Sequence, residues 1–282
     1  MDLCDIQTIK KVMSRHGFTF SKALGQNFLV NPEVCPAMAE SLNADGKTGV
    51  LEIGAGVGVL TKELARVAGK VVCVELDKRL FPVLDETLDG FDNIELVNED
   101  IMKVDLNTFL SEHFYGCERL MVCANLPYYI TSPIIMLLLE SRAPLEKIVV
   151  MVQREAGLRL CAQVGSRQAG AVTVAVNYYA DSEILFEVGR ESFVPSPRVD
   201  SVVISLTPHG KPKYELKDEK RFFTIVKAAF SQRRKTALNS ISNTLGISKD
   251  AVGEVFDGLS LDRNLRAEKL TMEELINISE RL

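Results

Sequence analysis

The chain has 282 residues, 46% of them hydrophobic and 25% charged, with 18 Gly and 10 Pro. This is ordinary globular composition for one large domain or one domain plus a smaller one, which excludes disordered, collagen-like and low-complexity readings. The net charge of −5 argues weakly against a nucleic-acid partner, but residues 209–282 carry 14 Lys+Arg against 11 Asp+Glu, so a local basic surface decides that question rather than the total.

The opening MDLCDIQTIKKVMSRHGF has no basic stretch followed by an apolar one, so no secretory signal is expected. No segment reaches the roughly 18 apolar residues that a membrane span needs. The expectation is a soluble cytoplasmic protein with no membrane partner. Its six cysteines (Cys4, Cys35, Cys73, Cys117, Cys123, Cys161) contain no CxxC pair, and several sit in apolar runs as small buried hydrophobes. The three histidines (His16, His113, His209) are isolated. A metal site and histidine-based acid/base chemistry are therefore not expected.

From about 48 to 152, short apolar runs alternate with longer amphipathic ones. TGVLEI (48–53), KVVCVEL (70–76), IELVN (94–98), LMVCAN (120–125) and KIVVMVQ (147–153) read as buried strands. VLTKELARVAG (59–69) and KRLFPVLDETL (78–88) read as helices, the second with Pro82 as a weak point. This alternation predicts an α/β, Rossmann-like fold with a mostly parallel sheet. AVTVAVNYYA (171–180) and DSVVISLTP (200–208) read as strands without a clear helix between them, which fits an antiparallel edge. HGKPKYELK (209–217) reads as a linker. The stretches 220–245, 248–258 and 271–281 have helical spacing and predict a small all-helical C-terminal domain at 209–282, after a first domain at 1–208.

LEIGAGVGVLT (51–61) runs a buried strand through a glycine-rich turn into a helix. Gly54, Gly56 and Gly58 allow a tight turn and close approach of a ligand to the backbone. The next strand ends in Glu75, 17 residues after Gly58, where a carboxylate can accept from both hydroxyls of a ribose. The third strand leads to Asp100, which can accept from an adenine amino group or simply cap the next helix. NAD and S-adenosylmethionine (SAM) both present adenosine to such a site, and the glycines do not choose between them.

The stretch LMVCANLPYYITSPI (120–134) selects the chemistry. The strand emerges into Asn125-Leu126-Pro127-Tyr128 at the carboxyl end of the sheet, where ligands bind. An exocyclic adenine amine is a poor nucleophile because its lone pair is delocalised into the ring. The Asn125 carboxamide oxygen and the Leu126 carbonyl can bind both N6 hydrogens and aim the lone pair at a methyl donor. Pro127 stiffens the turn, and Tyr128 offers a face for the base.

With these motifs the chain resembles the ribosomal RNA adenine N6-dimethyltransferase family over nearly its whole length, in the bacterial KsgA-type branch acting on 16S rRNA. LGQNFLVNP (24–32) matches the family's N-terminal cofactor motif, which implies Asn27 and Leu29 as SAM contacts. Gly54, Gly56, Glu75, Asp100 and Asn125 fall on its other cofactor positions, with Ala55 where many members carry Pro. FVPSPRVDSVV (193–203) matches the motif whose phenylalanine stacks on the flipped adenine, so Phe193 and Tyr128 are implied to clamp the base. FSQRRKTALNS (230–240) matches the family's helical-domain signature; Arg233, Arg234 and Lys235 spread over about 200° if helical, so at least one can reach RNA backbone while another pairs with an acidic neighbour, and Arg198 can meet phosphate or stand as a solvated charge.

The resemblance implies SAM-dependent dimethylation of two adjacent adenosines near the 3′ end of 16S rRNA, by a monomer acting on the 30S particle or its precursor. The alternatives are an Erm-type 23S rRNA methyltransferase, a non-catalytic RNA-binding assembly factor, and an NAD-dependent oxidoreductase. The last lacks a proton-relay His or Tyr-x-x-x-Lys and leaves NLPY unexplained.

Overall fold

A computed structural model describes residues 1–17 and 28–282. The chain forms two compact units, one from Met1–Gly157 with Glu183–Pro208 and the other from Leu158–Ser182 with His209–Leu282. The sequence suggested a single boundary at 208/209, whereas packing also assigns Leu158–Ser182 to the second unit.

In chain order the elements are α1 (Ile6–Arg15), β1 (Phe28–Leu29), α2 (Val34–Ser41), β2 (Thr48–Ile53), α3 (Val59–Val67), β3 (Lys70–Val74), α4 (Phe81–Thr87), β4 (Ile94–Val97), α5 (Leu106–His113), β5 (Arg119–Asn125), α6 (Thr131–Glu140) and β6 (Leu145–Gln153). They continue with α7 (Arg154–Leu160), α8 (Ala171–Tyr179), β7 (Ala180–Val188), β8 (Phe193–Val194), β9 (Ser201–Pro208), α9 (Glu219–Phe230), α10 (Ala237–Leu245), α11 (Lys249–Gly258) and α12 (Met272–Arg281).

The strands rich in Val, Ile and Leu assemble a seven-stranded sheet in the order β4-β3-β2-β5-β6-β9-β7. The β4-β3-β2-β5-β6 part is parallel, and β9 runs antiparallel to β6. The antiparallel part predicted for the sheet is thus present. Strand order reverses between β2 and β5, the point at which α/β sheets open a ligand crevice. Alternate residues of one face (Val50, Val71, Cys73, Met121, Cys123, Val149) join the apolar sides of α1 to α4 in a single buried cluster.

Pro82 does not weaken its segment. A 3-10 turn over Lys78–Leu80 precedes α4, and the proline falls in the first helical turn, where its missing N–H has no intrahelical partner to lose. Gly58 caps α3 at φ +87°, and a Cβ there would stand 2.9 Å from Leu88 Cδ2 and 3.1 Å from Thr87 Oγ1. Gly58→Ala is expected to lower the unfolding free energy by about 1–3 kcal/mol, read from the urea midpoint at unchanged slope.

AVTVAVNYYA is a helix rather than the strand its β-branched residues suggested. The Thr173 hydroxyl accepts from Gly170 N–H at 2.9 Å and donates to the Arg159 carbonyl at 2.6 Å, which anchors the first turn of α8. Val174 and Tyr178, one helical turn apart, then share the core of the second unit with Phe222, Phe256 and Leu275. Tertiary burial overrides intrinsic propensity here. In the same unit the Tyr178 and Tyr179 hydroxyls donate to the Glu219 carboxylate at 3.1 and 2.7 Å, and Tyr179 stacks on Phe223.

The FSQRRK stretch departs from the continuous helix expected over 220–245. The Ser231 hydroxyl donates to the Ala228 carbonyl at 2.7 Å, ending α9. Thr236 caps α10 by accepting from Asn239 N–H at 3.2 Å. Local serine and threonine bonds thus replace the helical ladder. Arg233, Arg234 and Lys235 lie together in the exposed turn between the two helices.

Candidate active site

The glycine turn between β2 and α3 stands at the carboxyl end of the sheet. Gly54 (φ +80°) and Gly56 (φ +58°) occupy the left-handed region, and a Cβ built on either would meet no atom within 4 Å. The backbone therefore faces open space that only glycine leaves accessible in this conformation. Glu75 is buried beside the turn, with Oε2 accepting from Gly56 N–H at 3.2 Å and Oε1 from Asp77 N–H at 2.9 Å. Burial pushes its carboxyl pKa up, and the two amide donors oppose that shift. A carboxylate so held still has lone pairs for two hydroxyl donors.

Asp100 accepts from Met102 N–H at 3.1 Å, and so caps the 3-10 turn over Ile101–Lys103. The capping reading of this residue is correct, and its second oxygen remains half-exposed beside Lys103 at 3.4 Å. Next to these two acids stand Leu76, 66% exposed, and Met102, 40% exposed. Neither emerged from the sequence as a site residue. The signal that could have found Leu76 is an apolar residue directly after a strand-end acid; Met102, two residues after Asp100, carries no such signal. Open glycine backbone, a fixed carboxylate and exposed apolar flanks fit an adenosyl group, so these residues suit the cofactor.

At the exit of β5 the register places Glu52 opposite Cys123 on the neighbouring parallel strand. Continued two residues past this last pair, the register puts Gly54, the first residue after β2, level with Asn125, the last of β5, at the point where strand order reverses. Parallel neighbours lie about 4.8 Å apart, so a ligand on the glycine turn abuts Asn125. The Asn125 carboxamide is half-buried and has no hydrogen-bond partner among the described residues. Leu126 is buried, its N–H donating to the Met151 carbonyl at 3.1 Å. The Pro127 carbonyl accepts from Ile130 N–H and from the Thr131 hydroxyl, each at 3.2 Å, closing a tight turn. Tyr128 is half-buried, its hydroxyl 2.8 Å from Ser201 Oγ, and burial raises the phenol pKa. Tyr128 is thus a neutral ring fixed in place.

Phe193 lies elsewhere than on an open pocket wall. It is 3% exposed and pairs with Leu29 in the short β1–β8 ribbon, and both side chains belong to the main core cluster. Only the backbone of Leu29 is left to touch a cofactor. At this burial the ring fills the core and has no open face, so the clamp that the resemblance implied for Phe193 is not in place. Phe193→Leu keeps most of the volume and is expected to cost about 1 kcal/mol of stability, read from a thermal melt.

Arg198 is exposed and has no ion-pair partner among the described residues. Arg233, Arg234 and Lys235 belong to the helical unit, in the α9–α10 turn. Asn27 lies outside the described residues. Among the described residues no group of His, Cys, Asp and Glu could hold a metal ion, and no helix is long and apolar enough to cross a membrane.

The family model for ribosomal RNA adenine dimethylase matches residues 17–282. The chain is 42% identical over 276 residues to ribosomal RNA small subunit methyltransferase A of Geobacillus thermodenitrificans, covering 97% of this chain and 94% of that one. It is 41% identical to the protein of the same name from Bacillus mycoides, over 100% of this chain and 97% of the relative. Among solved structures it is similar to a dimethyladenosine transferase from Plasmodium falciparum, with TM-score 0.69, 26% identity and 88% and 94% of the two chains covered. It is also similar to the 23S rRNA methyltransferase ErmE, with TM-score 0.66, 27% identity and 91% and 99% covered. With the reversed strand order, the open glycine turn and Asn125 beside it, this full-length agreement means that the chain belongs to the ribosomal RNA adenine dimethylase family.

Proposed function

We propose that this protein dimethylates N6 of two adjacent adenosines near the 3′ end of small-subunit rRNA, with SAM as methyl donor. The observation that carries the reading is the apposition of Gly54 and Asn125 at the switch point of the sheet. SAM supplies a methyl group on a sulfonium, whose departure as a neutral thioether drives transfer without help from a metal or a strong base. Positioning is the work left to the protein.

In this reading Glu75 accepts from the ribose hydroxyls, Asp100 from the adenine amino group, and Gly54 and Gly56 admit the cofactor to the backbone. In the first transfer the Asn125 carboxamide oxygen, unpartnered among the described residues, accepts one N6 hydrogen of the target and the Leu126 carbonyl the other; one hydrogen is then lost to solvent as a proton, and in the second transfer one acceptor holds the hydrogen that remains. These bonds strengthen as the nitrogen pyramidalises, so they favour the transition state over the ground state. Tyr128 stacks on the extruded base, offsetting part of the few kcal/mol lost on flipping. Arg198 and the Arg233-Arg234-Lys235 turn meet RNA phosphates. The names of the curated relatives support small-subunit RNA over 23S RNA. We read the protein as a cytoplasmic monomer acting on the 30S particle or its precursor.

The test is transfer from labelled SAM to 30S particles lacking the modification, with 50S particles and naked 16S rRNA alongside and product nucleosides resolved by mass. Dimethyladenosine on 30S alone is the expected result. Label on 23S RNA moves the protein to the Erm-type reading, and no label on any RNA refutes methyl transfer.

A further inference from the structure

The turn that carries Asn125 also displays a residue that the reaction as described does not use. Tyr129 is 78% exposed, beside half-buried Tyr128 and buried Leu126. An aromatic ring left this bare on a folded surface marks contact with something else, provided its surroundings are built for it. They are built here and not at Tyr115, which is 94% exposed but precedes β5, away from the carboxyl ends of the strands.

The two bonds to the Pro127 carbonyl hold the Tyr129 turn rigid. The Tyr128–Ser201 hydrogen bond ties that turn to the start of β9. Just before Ser201 stand Val199, 44% exposed, and exposed Arg198. Their segment is fixed as well, because the Asp200 carbonyl accepts from Arg154 N–H at 2.9 Å and its carboxylate from Arg190 N–H at 3.1 Å. Arg154 pairs with Glu187 at 3.0 Å, whereas Arg198 has no carboxylate partner among the described residues and so remains available to an anion. The site thus carries an exposed aromatic ring on a held turn, and the segment tied to that turn through Ser201 carries an exposed apolar side chain and a guanidinium with no carboxylate partner among the described residues.

We propose that Tyr129, with Val199 and Arg198, forms a platform that stacks the nucleotide flanking the target adenosine and binds its phosphate. The inference rests on the methyl-transfer reading of the same site and adds a positioning residue to it. Flipping a base out of its stack strips a partner from each neighbour. A tyrosine face replaces that partner whatever the base, and a guanidinium beside it meets the connecting phosphate.

The test is steady-state transfer with 30S particles varied at saturating SAM, for the wild-type protein, Tyr129→Ala and Tyr129→Phe. Tyr129→Ala is expected to raise KM for 30S particles by about tenfold. KM for SAM and the thermal midpoint should stay at their wild-type values, since the ring is exposed. Tyr129→Phe, which keeps the ring, should bring KM for 30S back to the wild-type value. A wild-type KM in Tyr129→Ala, or a Phe variant as weak as the Ala variant, overturns the platform and leaves the methyl-transfer reading intact. A wild-type protein that labels no particle overturns both.

Discussion

Asn125→Ala is expected to lower the rate of methyl transfer to 30S particles by about 10²–10³-fold, the usual consequence of removing one preorganised hydrogen-bond group at a reacting centre. SAM affinity falls by no more than about tenfold, the worth of a single hydrogen bond to the cofactor. The asymmetry follows from where the side chain stands. Asn125 ends β5 at the level of Gly54, and its carboxamide has no partner within the described protein, so removing it disturbs no internal bond. What would be lost, on the proposed reading, is the acceptor that fixes the target amine. Single-turnover rates with preformed enzyme–SAM complex, beside calorimetric SAM binding, separate the two effects. Full turnover in Asn125→Ala would falsify the account of amine activation.

Glu52→Gln is expected to stabilise the protein at alkaline pH, by about 3 kcal/mol, and by progressively less as the pH is lowered. Glu52 is 1% exposed in the middle of β2, on the face that joins the main core. Among the described residues its one completed side-chain hydrogen bond is from the Cys73 thiol at 3.1 Å; the Thr61 hydroxyl is near but outside bonding geometry. Burial, with the neighbouring Glu75 charge acting in the same direction, raises its pKa from 4.5 to about 7. The folded chain therefore holds this proton to a higher pH than the unfolded chain does. The contribution of Glu52 to stability is complete below about pH 4.5, declines by about 1.4 kcal/mol per unit as pH rises, and levels off above about pH 7. Glutamine cannot ionise, so the variant loses that slope. Urea unfolding at pH 5 and pH 8.5 measures it, and parallel pH profiles for both proteins would mean that Glu52 ionises as easily folded as unfolded.

Much of the fold was legible locally. The five strands between 48 and 153 and the helices after β2 and β3 follow from apolar runs whose period and flanking residues are contiguous. The glycine turn was equally plain, because left-handed backbone at Gly54, Gly56 and Gly58 demands that residue type. At Asp100 capping could not be separated from a cofactor role, and the structure shows the cap in place. Leu76, Met102 and Tyr129 went unnoticed because an exposed apolar side chain has no periodic signature; only its place on the finished surface gives it meaning.

By itself the sequence determined the α/β class, the nucleotide-binding turn, the NLPY stretch and the family, since each is written in residues that are neighbours along the chain. The tertiary structure alone decided that 171–179 is a helix, that Arg233, Arg234 and Lys235 share a turn, that Phe193 is buried against β1, and that Glu52 sits where its charge is costly. It alone also brought Gly54 level with Asn125. The physical reason is the same in each case. Burial, register and desolvation depend on residues far apart in the chain, and β-branched residues or a single carboxylate adopt whatever state that distant packing imposes.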